Sequence, residues 1–180
     1  MESHPGVDLV GAQMLVFKAE GHALGKRCVV RPGQLKRRVW KGFPVAHPTF
    51  FGRLGWFKQN PYDVKASHSQ DQCLLLRTSC SSRFEVIPRV LLGYREGQLS
   101  ARKQLSYRIC CVRSVVRLRK EIGRCWAAGL ALSHAAKLAL DSVAALSGAD
   151  YYLLRHRVAP IDATEAEQWA RVWKTVTPDV

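Results

Sequence analysis

Between residues 36 and 66 the chain carries Pro44, Pro48 and Pro61 together with Gly42, Gly52 and Gly55. Proline removes a backbone donor and clashes with the preceding helical turn, and glycine gives up ordering entropy, so no helix interior fits here. No hydrophobic period runs through the segment either. It therefore reads as an extended or looped arm and divides the chain into three parts. An N-terminal hairpin region spans 1–35, the arm spans 36–70, and residues 71–180 carry further strands and helices, the whole being one domain with extensions.

The flanking parts read as α+β. Residues 13–18 (QMLVFK) and 27–30 (RCVV) are β-rich runs separated by EGHALG, which predicts a hairpin closed off by Pro32-Gly33. Residues 73–78 (CLLLRT) and 84–92 read as two more strands, with Pro88 forcing an edge or bulge in the second and residues 94–98 forming a turn. Helix dominates afterwards, over 101–122, over 126–146 beyond a hinge at Gly123 and Gly129, and again from residue 162. There Asp162 and Glu165 have capping-box spacing, and Ala166, Trp169, Ala170 and Trp173 make an apolar stripe.

Charge narrows the function classes. The chain holds 28 Lys+Arg against 14 Asp+Glu, a net of +14. Residues 21–124 hold 22 basic and 5 acidic side chains, a net of +17, while residues 1–20 carry −2 and residues 125–180 carry −1. A basic excess confined to one stretch is the footprint of a polyanion partner rather than of general solubility. Arginines outnumber lysines 18 to 10, and the guanidinium fork matches phosphate geometry. A small-molecule substrate is not expected.

Two constellations could meet that polyanion. In the arm, Lys36, Arg37, Arg38, Trp40, Lys41, Arg53, Trp56 and Lys58 interleave cations with flat rings. Cations neutralise phosphates and aromatics stack on unpaired bases, unless those rings pack into the protein itself. On the helix over 101–122, at about 100° per residue, Arg113, Arg117, Lys120 and Arg124 fall about 20°, 60°, 0° and 40° from Arg102, one narrow basic stripe. Like charges repel along such a row unless an anionic partner relieves them. Tyr107, Cys111, Val115, Leu118 and Ile122 lie opposite, and Leu105, Ile109, Val112 and Val116 form a second apolar flank.

Other chemistry has weaker support. Cys28, Cys73, Cys80, Cys110, Cys111 and Cys125 include no C-x-x-C pair, so they read as buried thiols of a reducing compartment, with no metal and no cofactor expected. Motifs for a nucleophile elbow, a P-loop, a dinucleotide fold or a zinc protease are missing, so no catalytic residues are nominated and an enzyme is not expected. The stretch 125–147 is long enough to span a bilayer, yet Lys137 and Asp141 in its inner half each cost about 2.5–3.5 kcal/mol there. A helix buried in a domain, or between subunits, suits it better.

In composition the chain resembles ribosomal proteins, particularly those of organellar ribosomes: small, Arg-rich, a globular part with Pro/Gly/aromatic extensions. The resemblance rests on no motif and assigns no residue. It implies a non-catalytic subunit of a ribonucleoprotein, binding rRNA through the arm and the stripe and neighbouring protein subunits through the C-terminal helices. The compartment implied is intracellular, the mitochondrion without a cleavable presequence, with the cytoplasm as alternative. The competing expectation is an accessory subunit of a mitochondrial membrane-embedded respiratory or ATP synthase complex, its stripe on lipid headgroups. A freestanding RNA-binding factor is a third.

Overall fold

A computed structural model describes residues 5–29, 45–66, 68–97, 101–147 and 158–177, the side chains of 101–104, 144 and 145 excepted. The protein is mixed α+β, with a four-stranded sheet from its N-terminal half and helices dominating the C-terminal half. Strand β1 (Leu9–Phe17) is the spine of the sheet. Eight of its nine residues are buried and Val10 is half-buried, so the run LVGAQMLVF lacks the alternation of a half-exposed strand. A strand covered on both faces needs none.

Strand β4 (Phe84–Arg95) runs parallel to β1 along its full length, from Leu9 opposite Phe84 to Phe17 opposite Arg95. The other edge of β1 is shared. Strand β2 (Ala23–Arg27) pairs antiparallel with Met14 to Phe17, and the two-residue β3 (Phe51–Gly52) pairs antiparallel with Leu9 and Val10. The hairpin expected from sequence is present, but its second strand starts at Ala23 rather than Arg27. The turn is tight, with the Lys18 amide donating to the His22 carbonyl at 3.0 Å and Gly21 at φ 78° closing it. Pro88 lies where the β1–β4 register slips, between the pairs Ala12–Ile87 and Gln13–Val90. A proline without a donor fits such a bulge on an edge strand. The strand continues through Tyr94 and Arg95, where sequence suggested a turn.

Residues 73–78 are not a strand. They belong to helix α2 (Gln70–Thr78), whose Cys73, Leu74, Leu75, Leu76 and Thr78 are all buried. A helix covered on nearly every side shows no 3.6-residue period, and a short apolar run cannot then be told from a strand. The part of the arm that is described is also not extended. Residues 45–66 form a 3-10 turn (His47–Thr49), β3 and helix α1 (Leu54–Gln59), with Val45, Ala46, Trp56 and Ala66 buried. Thr49 fastens this stretch to the sheet: its Oγ1 accepts from the Ala12 amide at 3.0 Å and donates to the Ala46 carbonyl at 2.8 Å. The breakers were real, but they separate short elements folded onto the sheet.

Helix α3 (Ala101–Arg117) tightens into a 3-10 turn (Leu118–Lys120), and Gly123 at φ 89° then turns the chain into α4 (Arg124–Ser147). Leu9, Trp56, Leu74, Leu75, Val115 and Leu130 make the centre of the main core, joining β1 to α1, α2, α3 and α4. Helix α5 (Ala163–Val176) starts with the expected capping box: Asp162 Oδ1 accepts from the Glu165 amide at 2.8 Å and Glu165 Oε2 from the Asp162 amide at 3.0 Å. Trp169 and Trp173 pack on Phe17 at 4.6 and 5.3 Å between ring centroids, the Trp169 indole N–H donates to the Gly21 carbonyl at 2.8 Å, and Glu165 pairs with Lys26 at 2.7 Å. Ala166 is half-buried with those tryptophans, whereas Ala170 is exposed.

Candidate nucleic-acid interface

The basic stripe is not one straight row. Angles drawn at 100° per residue hold only through Arg117, because a 3-10 turn advances about 120° per residue and Gly123 then redirects the chain. Arg113, Arg117, Arg119, Lys120 and Arg124 are all exposed around the corner from α3 to α4, with Glu121 the one acid among them in sequence. Arg119 was missed in the stripe because its angle falls off that face; the corner brings it in, its guanidinium donating to the Val116 carbonyl at 2.8 Å. Arg117 is partly neutralised by Asp63 at 3.2 Å. Arg102 lies in the first turn of α3, and its side chain is outside the described residues.

The arm residues divide differently. Lys36, Arg37, Arg38, Trp40 and Lys41 lie outside the described residues. Lys58 is exposed at the end of α1. Arg53 is committed to the fold, donating to the Val7 carbonyl at 2.9 Å and the Pro5 carbonyl at 3.0 Å. Trp56 is 7% exposed, meets Phe57 and Phe84 edge-on at 5.0 and 5.9 Å, and donates its indole N–H to Ser82 Oγ at 2.8 Å. Base stacking needs an open ring face, which Trp56 lacks. The expectation for Trp56 is thus corrected: the ring belongs to the core, because its neighbours α2 and β4 close over it.

Between α2, α3 and α4 lies a partly open cavity of about 230 Å³, lined among others by Ser69, Tyr107, Arg108, Ser114, His134 and Lys137. Arg108 and Asp141, only 11% and 10% exposed, form an ion pair at 3.1 Å across α3 and α4. In sequence Asp141 stood out only as one of two charges, with Lys137, in the inner half of 125–147. The available signal was angular: Arg108 points about 120° away from the basic stripe, toward the apolar side. The buried Ser69 and Ser114 hydroxyls, both in the lining, meet at 3.1 Å.

The chemistry of this cavity is quiet. Burial, more than its neighbours, pushes the Cys111 thiol up to about 11, and Tyr107 is raised by the same cause. Cys28 is likewise pushed up to about 11 by burial. Cysteines are not uniformly buried, however: Cys73 and Cys111 are, Cys28 and Cys110 are half-buried, and Cys80 and Cys125 are exposed. Among the described residues no cluster of three His, Cys, Asp or Glu side chains could hold a metal ion, and no helix is long and apolar enough to cross a membrane.

His134 gives the cavity a pH signature. Burial first, then Lys137 and Arg108, lower its pKa from 6.5 to about 4, and its Nδ1 is buried without a partner. The folded state resists a proton that the unfolded chain takes up below about 6.5, so stability is full above that pH and falls as pH drops toward 4. Discounted for partial solvent screening, the expected loss is on the order of 1–2 kcal/mol. Thermal melts at pH 7.5 and 5 should show this fall in the wild type and a smaller one in His134→Gln; equal falls in both would assign the effect elsewhere. No protein-family model, no curated protein and no solved structure matches the chain.

Proposed function

We propose that the protein is a non-catalytic, RNA-binding subunit of a ribonucleoprotein that holds RNA phosphates at the α3–α4 corner. The observation that carries this reading is the set of five exposed cations between Arg113 and Arg124, set against Glu121 in the same stretch and Asp63 beside Arg117, in a chain whose middle carries +17. Mechanism is electrostatic. Each phosphate neutralised releases condensed counterions, so affinity falls steeply with salt, and the guanidinium groups fix orientation without reading sequence. The positive N-terminal end of α4 lies at this corner beside the negative C-terminal end of α3, so the positive potential comes from the side chains, Arg124 included. Base stacking by Trp56 has no place in this scheme, and Lys58 supplies a further cation on a separate element.

Fluorescence anisotropy with a folded RNA, titrated at several salt concentrations, tests the reading. Replacing Arg113, Lys120 and Arg124 with Glu is expected to weaken binding about 10- to 100-fold near 0.1 M salt and to flatten the logarithmic salt slope by about 2–3. All three side chains are exposed, so the melting temperature should stay within about 2 °C. Undiminished affinity with an unchanged salt slope would overturn the assignment of this corner. Sedimentation from gently lysed cells, with and without ribonuclease, separates a ribonucleoprotein subunit from the membrane-complex alternative, since only the former is released by ribonuclease.

A further inference from the structure

The sequence allows helix α4 to be buried either inside the domain or between subunits, and one face of it does meet the core, through Ala127 and Leu130. Its opposite face is open to solvent. Leu132 is 72% exposed, Leu140 and Val143 64% each, and Leu146 90%, and between them Ala135, Ala136 and Ala139 are exposed as well. At 100° per residue these positions share one side of the helix, and no charged residue falls among them. We infer that this face is the contact surface of a symmetric dimer, with α4 of a second copy lying antiparallel across it.

Three observations select a second copy as the occupant. The first is complementarity under a two-fold axis. Centring the axis midway between Lys137 and Leu138 sets Leu132 against Val143 of the other copy, Ala136 against Ala139, Leu140 against Ala135, and Leu146 against Gly129. Small residues meet at the middle, Leu140 and Leu146 meet small ones, and Leu132 packs on Val143, which suits helix axes about 8–10 Å apart. The second is charge. The chain's excess lies in residues 21–124, whereas 125–180 carry a net of −1, so this is the face through which two +14 chains can join with least repulsion. The third is area. Twenty-four residues make a helix roughly 36 Å long. The outer half of such a cylinder offers on the order of 500 Å² per copy, about 1,000 Å² per pair, the size from which specific interfaces begin.

The pairing has a consequence for the basic corner, although it does not depend on the RNA reading. Arg124 begins α4, so antiparallel packing places the two corners at opposite ends of the helix pair, roughly 30–40 Å apart. A dimer would then grip a phosphate backbone at two places.

Sedimentation equilibrium on the full chain, freed of RNA by ribonuclease and about 0.5 M salt, tests the inference at roughly 1–100 µM protein. The expected mass is twice the 20.2 kDa of one chain. Leu140→Arg, and separately Ala136→Glu, should each return a single-chain mass with an unchanged circular dichroism spectrum, since both positions are exposed. A wild-type protein that stays at 20.2 kDa throughout would overturn the dimer, leaving a different protein or a lipid surface as the cover of α4. A double mass that survives both substitutions would overturn it too, because the contact would lie elsewhere.

Discussion

Trp56→Ala is expected to destabilise the protein by about 3–5 kcal/mol, most of the margin by which a domain of this size stays folded. The indole is 7% exposed, and removing it leaves a cavity bounded by Phe57 and Phe84 that rigid neighbours cannot fill. Ser82 Oγ also loses the N–H that donates to it at 2.8 Å. Urea unfolding followed by circular dichroism measures the change; a fall of the midpoint toward zero, or insoluble protein, is the expected result. Trp56→Phe keeps most of the apolar volume and forfeits the hydrogen bond, so it should cost about 1–2 kcal/mol and remain measurable. A stacking platform for bases would behave in the opposite way, with RNA affinity lost and the unfolding midpoint unmoved. That outcome would return Trp56 to the interface.

Asp141→Ala should be of similar severity, about 3–5 kcal/mol, because it strands a guanidinium that is only 11% exposed. Arg108 donates through both Nε and Nη2 to Asp141 Oδ2, at 3.2 and 3.1 Å. The large effect belongs to the broken pair and not to the pair itself. Replacing both partners, Arg108→Met with Asp141→Leu, is therefore expected to stay within about 1 kcal/mol of the wild type. A double-mutant cycle read by thermal unfolding checks both statements. Additive losses would show that the two side chains act independently, and the ion pair would then be incidental to the α3–α4 packing.

Legibility in the sequence followed the environment of each segment. The hairpin, the helix over 101–117, the turn at Gly123 and the Asp162–Glu165 cap are local features, set by residues within a few positions of one another, and they could be read directly. The 73–78 run could not, because its surroundings come from α1, α3 and α4, and full burial erases the period that distinguishes helix from strand. Trp56 illustrates the same limit for function. In sequence it sits among cations and breakers, and only the closing of Phe57, Phe84 and Ser82 around it reveals a core ring. The basic corner was half legible: Arg113 and Arg117 follow helical angles, whereas Arg119, Lys120 and Arg124 join them through a break in the helix that angles do not describe. Arg108 and Asp141 lie 33 residues apart and become partners only when α3 and α4 fold back on each other.

The docking of α5 on the N-terminal hairpin sets the order in which this chain can mature. Lys26 finds Glu165 across 139 residues and Gly21 finds Trp169 across 148, while the Lys26 and Ala159 backbones exchange two hydrogen bonds of 2.8 Å. At translation rates of about 5–20 residues per second, the hairpin waits roughly 7–30 s before its covering helix has been synthesised. Throughout that interval Phe17 has neither of its tryptophans and the outer edge of β2 has no partner strand. Contacts this distant in sequence also slow folding, since the loop between them must close before they contribute anything. Escorting that nascent hairpin until residue 176 emerges would protect the chain during its most aggregation-prone period, whether the escort is a chaperone or the assembling particle itself.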